Sequence, residues 1–385
     1  MIESIRVQKP INEVIPINIQ VETEQLMEDW KRLHQIPEIG FHEYQTSGYL
    51  RSRLESLGFE VRSIAGTGLL AALHGSEPGL SIGLRADMDA LEFNNEDGSK
   101  TLCHACGHDA HCAMVLAAGA QVARQGIRRG TLYLLFQPAE ETICGASAVV
   151  RDGGLPHLDG LLGMHLRPKS ELPLGQATAQ LMHQATIPMT VTFYGKAAHG
   201  ARPFEGVNAL SAAAETIVQV DRLKIHTDQS WSAKATNAHC FGNMHNVIPE
   251  RCSVTFDLRA QSNALGDQLT QAVLECANQS GEKVGCRVSC DKVHGYAAEY
   301  DPGLVAVCEE AIREVLGDVA PPVHTLGSED FHAYHMEGGI PVAYMGLGAD
   351  LVPGLHSRDM RFNPDCLPIG VQILCRCVGR LLELK

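Results

Sequence analysis

The constraint that most narrows the fold of this chain is its alternation of strand-like and helix-like segments. QTSGYLRSRLESLGF (45–59) places Leu50, Leu54 and Leu57 at helical spacing, and Gly58 stands where a C-terminal cap belongs. Strand-like runs LLAALHG (69–75) and SIGLRAD (81–87) come next, then a helix-like run over 109–124, then TLYLLF (131–136) and DGLLGMHL (159–166). Strands separated by helices predict a mainly parallel or mixed sheet with covered faces. Sheets of that kind place ligands at the carboxyl ends of their strands.

The texture changes at about residue 185. TIPMTVTFYGKAAHG (186–200) alternates like a half-exposed strand, a helix-like run follows (205–223), then two strand-like runs (SAKATNAHCFG and CSVTFDLRA) and a helix near 263–279. This order, β-α-β-β-α-β, is that of a ferredoxin-like unit. The helix and strand alternation resumes after about 297, with a helix-like run over 303–316, the strand-like IPVAYMGLG (340–348) and a terminal helix from about 367. The expectation is an α/β protein: a mixed-sheet catalytic domain in two parts, 21–184 and 297–385, interrupted by a small α+β domain over 185–296. Hinge residues are expected near 183–186 and 294–298.

At 385 residues the chain can bury two cores without disulfide staples. Its apolar runs break well before the ~18 residues a membrane span needs. Residues 1–20 hold no compact apolar stretch behind a basic start, so no secretion signal is expected. The 13 cysteines are odd in number and scattered without a framework, which fits free thiols in a reducing cytoplasm. A net charge of −14 with no block of Lys or Arg would repel a polyphosphate backbone, so nucleic acid is not an expected partner, nor is a membrane.

Two stretches carry metal-competent chemistry. TLCHACGHDAH (101–111) packs two cysteines, three histidines and an aspartate into eleven residues. As a zinc knuckle it lacks a second ligand pair ~12–20 residues on. Cys106 and His108 directly precede a helix-like run, whose N-terminal amides are expected to lower the thiol pKa. The stretch alone leaves structural and catalytic metal equally open. FQPAEET (136–142) follows a strand, and its adjacent carboxylates point different ways, so one can hold a metal while the other serves as general base. Asp87 and Asp89 of RADMDAL, His165 of GMHL and His356 of GLHS also end strands or open the loops after them.

HQIPEIGFHEYQT (34–46), LRADMDAL (84–91), HACGHDAH (104–111), LLFQPAEE (134–141), GMHL (163–166), GKAAHGARP (195–203), NVIP (246–249), GSEDF (327–331) and GLHS (354–357) occur in this order. Together they resemble the amidohydrolase branch of the aminoacylase/carboxypeptidase G superfamily, which includes hippurate hydrolases and hydrolases of indole-acetyl-amino-acid conjugates. The resemblance implies a metallopeptidase-type catalytic domain with an inserted ferredoxin-like lid that often makes a dimer contact. It implies two divalent ions, zinc or manganese with nickel or cobalt as further candidates, bridged by Cys106. Glu141 and His356 would complete one ion, His108 and His165 the other. Glu140 would be the general base and acid, Asp89 a carboxylate orienting the ligands, and His199 the donor to the oxyanion, often reaching a neighbouring subunit. Arg259 and Asn246 stand where related enzymes hold the substrate carboxylate, and an Arg fork suits that task.

The implied reaction is hydrolysis of an N-acyl or N-aroyl amino acid by a metal-activated water, in a homo-oligomer, dimer or tetramer. The alternatives are a short-peptide metallopeptidase or a biosynthetic deacetylase, and, from a different class, a binding protein with a structural zinc and no catalysis. Asp87 is expected to support the site rather than bind, Cys103 and His104 to be neighbours of the site rather than ligands, His111 to be a packed or hydrogen-bonded helix histidine, His34 and Glu38 to be structural, and Glu329 and Asp330 to shape the loop near His356 or contact substrate. The chain departs from the family wording at Glu92, in the short EFNNEDGSKTLC and in GKAAHGARPFEG, which bears on the substrate pocket rather than on the metal set.

Overall fold

The computed structural model describes residues 21–242 and 244–385, so the expectation about a secretion signal in residues 1–20 lies outside the described residues. The chain forms two compact units. His183–Ala298 with Thr325–Glu329 forms one, and the described residues through Met182, Glu299–His324 and Asp330–Lys385 form the other.

The first unit is built on an eight-stranded mixed sheet. Its path runs Glu60–Ile64, Gly68–His74, Ile127–Gln137, Glu77–Asp87, Gly160–Pro168, Val342–Leu351 and Ala177–Thr178, with Glu383–Leu384 pairing beside Ile127–Gln137. The four central strands, Ile127–Gln137, Glu77–Asp87, Gly160–Pro168 and Val342–Leu351, are parallel, and the flanking pairs are antiparallel. Parallel strands are buried on both faces, which is why LLGMHL and AYMGLG read as continuous apolar runs rather than alternating ones. The helix His108–Gln125 is buried nearly all round and packs against the sheet and the helices Thr23–His34 and Cys366–Leu381. Small residues permit this: a Cβ on Gly119 would lie 2.4 Å from Leu134 Cδ1.

The second unit has a four-stranded antiparallel sheet in the order Trp231–Cys240, Arg251–Ala260, Ala185–Tyr194, Arg287–Lys292. With the helices Ala209–Asp221 and Asn263–Val284 the chain order is β-α-β-β-α-β. Ala185, Ile187, Met189, Val191 and Phe193 alternate inward and meet Cys252, Val254, Phe256, Leu258 and Ala260 in a separate core. Asn208 and Ser262 cap the two helices with their side chains.

One cysteine expectation is corrected here. Cys240 and Cys252 are direct register partners on adjacent strands and form a disulfide, while eleven other cysteines are free thiols. Strand pairing brought them together, and their spacing of 12 in the sequence gave no sign of it.

Candidate metal centre

The carboxyl ends of the four parallel strands supply the site. Glu77–Asp87 ends at Asp87 and leads through Asp89 and a short hairpin to Cys106 and His108; Ile127–Gln137 leads to Glu140 and Glu141. Gly160–Pro168 carries His165, and Val342–Leu351 leads to His356. Convergence of strand ends thus gathers residues that are as far apart in sequence as Cys106 and His356.

Donor atoms of Cys106, His108 and His165 lie within 4.8 Å of one another, as do those of Cys106, Glu141 and His356. Cys106 belongs to both triads. Its Sγ lies 3.5 Å from His165 Nε2, and His356 Nε2 lies 3.4 Å from a Glu141 oxygen. His108 Nε2 stands 3.9 Å from oxygens of both Glu140 and Glu141.

These side chains are competent to hold a metal ion. His108 Nδ1 donates to the Asp89 carbonyl at 2.9 Å and His165 Nδ1 to the Leu166 carbonyl at 2.6 Å, so in the neutral form of each ring Nε2 is the atom left for a metal. His108 Nε2 and Glu141 Oε1 are buried without a hydrogen-bond partner. Buried polar atoms are nearly always paired, and two orphans facing a thiol and carboxylates fit a cation between them. A donor set of one sulfur, two nitrogens on His108 and His165, a third on His356 and a carboxylate suits zinc or another borderline divalent ion.

The electrostatics of the cluster would favour a cation. Burial, then Glu141, pushes the Cys106 thiol up to about 12, which corrects the expectation that the following helix would lower it. The desolvation of a fully buried sulfur outweighs the helix amides; only a cation would make the thiolate favourable. Burial works against a charged His108, yet Asp87 and Cys106 overcome it and hold its pKa well above the usual histidine value. Glu141 is raised by burial but held below its usual value by His356 and His108.

Further buried residues surround the two triads, and of these Asp87 and His111 form a donor group of their own with His108. Asp89 accepts the N–H of Glu140 at 3.0 Å and of Glu141 at 3.1 Å. His111 takes the Leu166 N–H on Nε2 and donates from Nδ1 to Asp87 at 2.7 Å, so both its nitrogens are used and it is no ligand. Arg85, 1% exposed, bonds Asp87 at 2.6 Å, Asp330 at 3.1 Å, Gln137 at 2.9 Å and the Tyr344 hydroxyl at 3.2 Å. Glu38 caps the helix Tyr44–Ser56 through the amides of Gln45 and Thr46, and His34 bonds Asp109 at 2.7 Å. Cys103 is half-buried and His104 buried, neither within a donor triad. Sequence reasoning missed Arg85, Gln137, Tyr344 and Glu43; Arg85, Gln137 and Glu43 lie inside quoted motifs, but their burial was not visible there.

His199, Asn246 and Arg259 belong to the second unit. His199 pairs with Val247 in a short antiparallel ladder, and the Gly200 N–H donates to the Asn246 carbonyl at 2.7 Å, so these two are neighbours. His199 Nδ1 accepts the Ala201 N–H at 3.1 Å, which puts the proton of the neutral ring on Nε2. Arg259 is engaged by Asp257 at 2.9 Å and by the Thr186 hydroxyl at 2.7 Å.

The chain belongs to the peptidase family M20/M25/M40, whose model matches residues 83–380, and it is a metal-dependent hydrolase of amide bonds. It is 30% identical over 381 residues to an N-acetyl-L-cysteine deacetylase of Bacillus subtilis, covering 96% of this chain and 91% of that protein. It is likewise 30% identical to IAA-amino acid hydrolase ILR1-like 2 of Arabidopsis thaliana, over 93% of this chain and 86% of the relative. Its fold is similar to that of a dinuclear metal-binding peptidase of the M20 family from Bacillus subtilis, with a TM-score of 0.76 at 23% identity over 94% of this chain and 99% of the other.

Proposed function

We propose that this protein cleaves the amide of N-acyl or N-aroyl amino acids, releasing a carboxylate and a free amino acid. The observation that carries the reading is a pair of donor triads sharing Cys106 beside a further carboxylate, Glu140, which belongs to neither of them. Cys106 would bridge two ions, with His108 and His165 on one and Glu141 and His356 on the other. When bound, two divalent ions would acidify a water and polarise the amide carbonyl. Glu140 would take the proton from the attacking water and deliver it to the departing nitrogen. Asp89 would hold Glu140 and Glu141 in place through their backbone amides. His199, with Nε2 as donor, would stabilise the oxyanion, in cis or from a neighbouring subunit. Asn246 and Arg259 would hold the substrate carboxylate.

The substrate class is supported by relatives whose names share an acylated amino acid, N-acetyl-L-cysteine, an IAA-amino acid and N-acetyldiaminopimelate. Exposed Phe204, Leu210, Val218, Met244 and Val247 in the second unit support a homo-oligomer. Among the described residues no helix is long and apolar enough to cross a membrane, and eleven free thiols beside the single Cys240–Cys252 disulfide favour a reducing cytoplasm over an oxidising compartment.

A panel of N-acetyl amino acids, N-benzoyl amino acids and dipeptides, assayed with the zinc- and manganese-loaded protein, tests the reading. Hydrolysis of the acyl amino acids should vanish on chelation and return with metal. Glu140→Gln should keep its metal and lose turnover by about 10²–10⁴-fold. A loaded protein that cleaves only dipeptides would make it a peptidase, and one that cleaves nothing would make it a binding protein.

A further inference from the structure

The turn that carries Glu140 is an unusual piece of backbone. Glu140–Thr142 forms one 3-10 turn, and it is bracketed by Ala139 at φ 56° and Ile143 at φ 57°. Two residues with side chains in the left-handed region cost free energy and persist only where the surroundings hold them. The surroundings here are carboxylates. Asp89 accepts the amides of Glu140 and Glu141, and Asp330 accepts that of Ala146 at 2.9 Å. The amide of Ala139 itself is held by Glu43 Oε1 at 2.9 Å, across 96 positions of sequence.

Glu43 is suited to that task. It is 0% exposed, and the Thr67 hydroxyl donates to its other oxygen, so both oxygens are committed and the carboxylate cannot turn away. It lies at the start of the helix Tyr44–Ser56 without capping that helix through its side chain. The loop before it is pressed against the same turn: a Cβ on Gly40 would fall 2.8 Å from Ala139 Cβ and 2.9 Å from Ala139 Cα. A carboxylate buried at the head of a helix, yet bonded to another segment, is costly unless it holds something.

We propose that Glu43 is a positioning residue for the hydrolytic reaction: by holding the Ala139 amide it keeps Ala139 left-handed and so aims the Glu140 carboxylate. This rests on the reading of Glu140 as general base. Asp89 anchors the amides of Glu140 and Glu141 alike, but the Glu141 carboxylate also has His356 at 3.4 Å, so Glu43, which holds the residue directly before Glu140, governs the aim of the base more than retention of metal. The requirement is an acceptor atom at one place, not a negative charge. Glutamine can supply that acceptor, donating its amide to Thr67 Oγ1; aspartate keeps the charge but is one methylene too short.

The test compares Glu43→Gln, Glu43→Asp and Glu43→Ala in the full chain, on the fastest N-acyl amino acid of the panel, with metal content and thermal unfolding measured in parallel. Glu43→Asp and Glu43→Ala should lose about 10–100-fold in kcat, with KM within about threefold and metal per chain unchanged. Glu43→Gln should stay within about threefold of the parent. In a Glu140→Gln background, Glu43→Asp should cost nothing further, because the group it aims is gone. Folded, loaded Glu43→Asp with parental kcat would overturn the proposal, as would losses that multiply in the double variant or that track loss of metal. If Glu43→Ala does not fold, the contrast between Gln and Asp decides. A fully active Glu140→Gln would instead overturn the reading of the base, and the proposal with it.

Discussion

His332 lies in the first unit with 1% of its surface exposed, and burial, then Arg85 and His335, pulls its pKa down to about 3. An unfolded histidine titrates near 6.5. Between about pH 6.5 and 3 the unfolded chain therefore binds a proton that the folded chain refuses, so this residue's contribution to stability is complete above 6.5 and is lost as pH falls. One such proton tilts the stability curve by about 1.4 kcal/mol per pH unit. Urea unfolding of the parent and of His332→Phe at steps from pH 7 to 4.5 should show a shallower fall for the variant; parallel curves would show that His332 does not titrate on unfolding. The same comparison of burial with charge explains what could be read at single positions. Cys106, His108 and Glu141 were legible because thiol, imidazole and carboxylate announce a metal by type. Glu43 and Arg85 were not, since a lone Glu at a helix start and a strand Arg are usually solvated, and only partners 96 and 245 positions away reveal their role.

At the scale of elements, the periodicities carried most of the information. The run expected over 109–124 is the helix His108–Gln125, and TIPMTVTFY lies in the strand Ala185–Tyr194, its alternation intact as Thr192 and Phe193 face opposite ways. The hairpin Leu91–Asn94 with Lys100–Cys103 was missed, although Asp97-Gly98, with Gly98 at φ 81°, is a turn signal between short runs. Packing between elements left the least trace in sequence. Gly119 looks like a weak point in a helix, yet it is where the helix meets Leu134 and Phe59. Gly119→Val should therefore destabilise by about 1–3 kcal/mol despite its better helix propensity, read as a lower urea midpoint at unchanged slope. A gain in stability would mean that Leu134 yields more readily than a close-packed core allows.

For the whole molecule, two separate cores make stability a property of each unit. The two donor triads that share Cys106 belong to the first unit, so removal of metal should weaken that unit and spare the other. Nature has provided a reporter for each: of the two tryptophans, Trp30 lies in the first unit and Trp231 in the second. Melting Trp231→Phe and Trp30→Phe variants with and without chelator should show the Trp30 signal falling by roughly 5–10 °C, from a binding term of about 2.7 kcal/mol at a hundredfold excess over Kd. The Trp231 signal should not move. Equal shifts in both would show that the two units unfold as one.

The spread of the donors along the chain also sets the timetable of assembly. Cys106 and His356 are separated by 250 positions, which at about 5–20 residues per second takes a ribosome roughly 12–50 s to traverse. A zinc finger can use its ion to nucleate folding because its ligands emerge together. Here the first thiol waits, and its strand must be joined by the last parallel strand before the second triad exists. With the proposed ligands the ions would be late arrivals to a finished scaffold, so metal-free protein made under starvation should fold first and bind its metal afterwards.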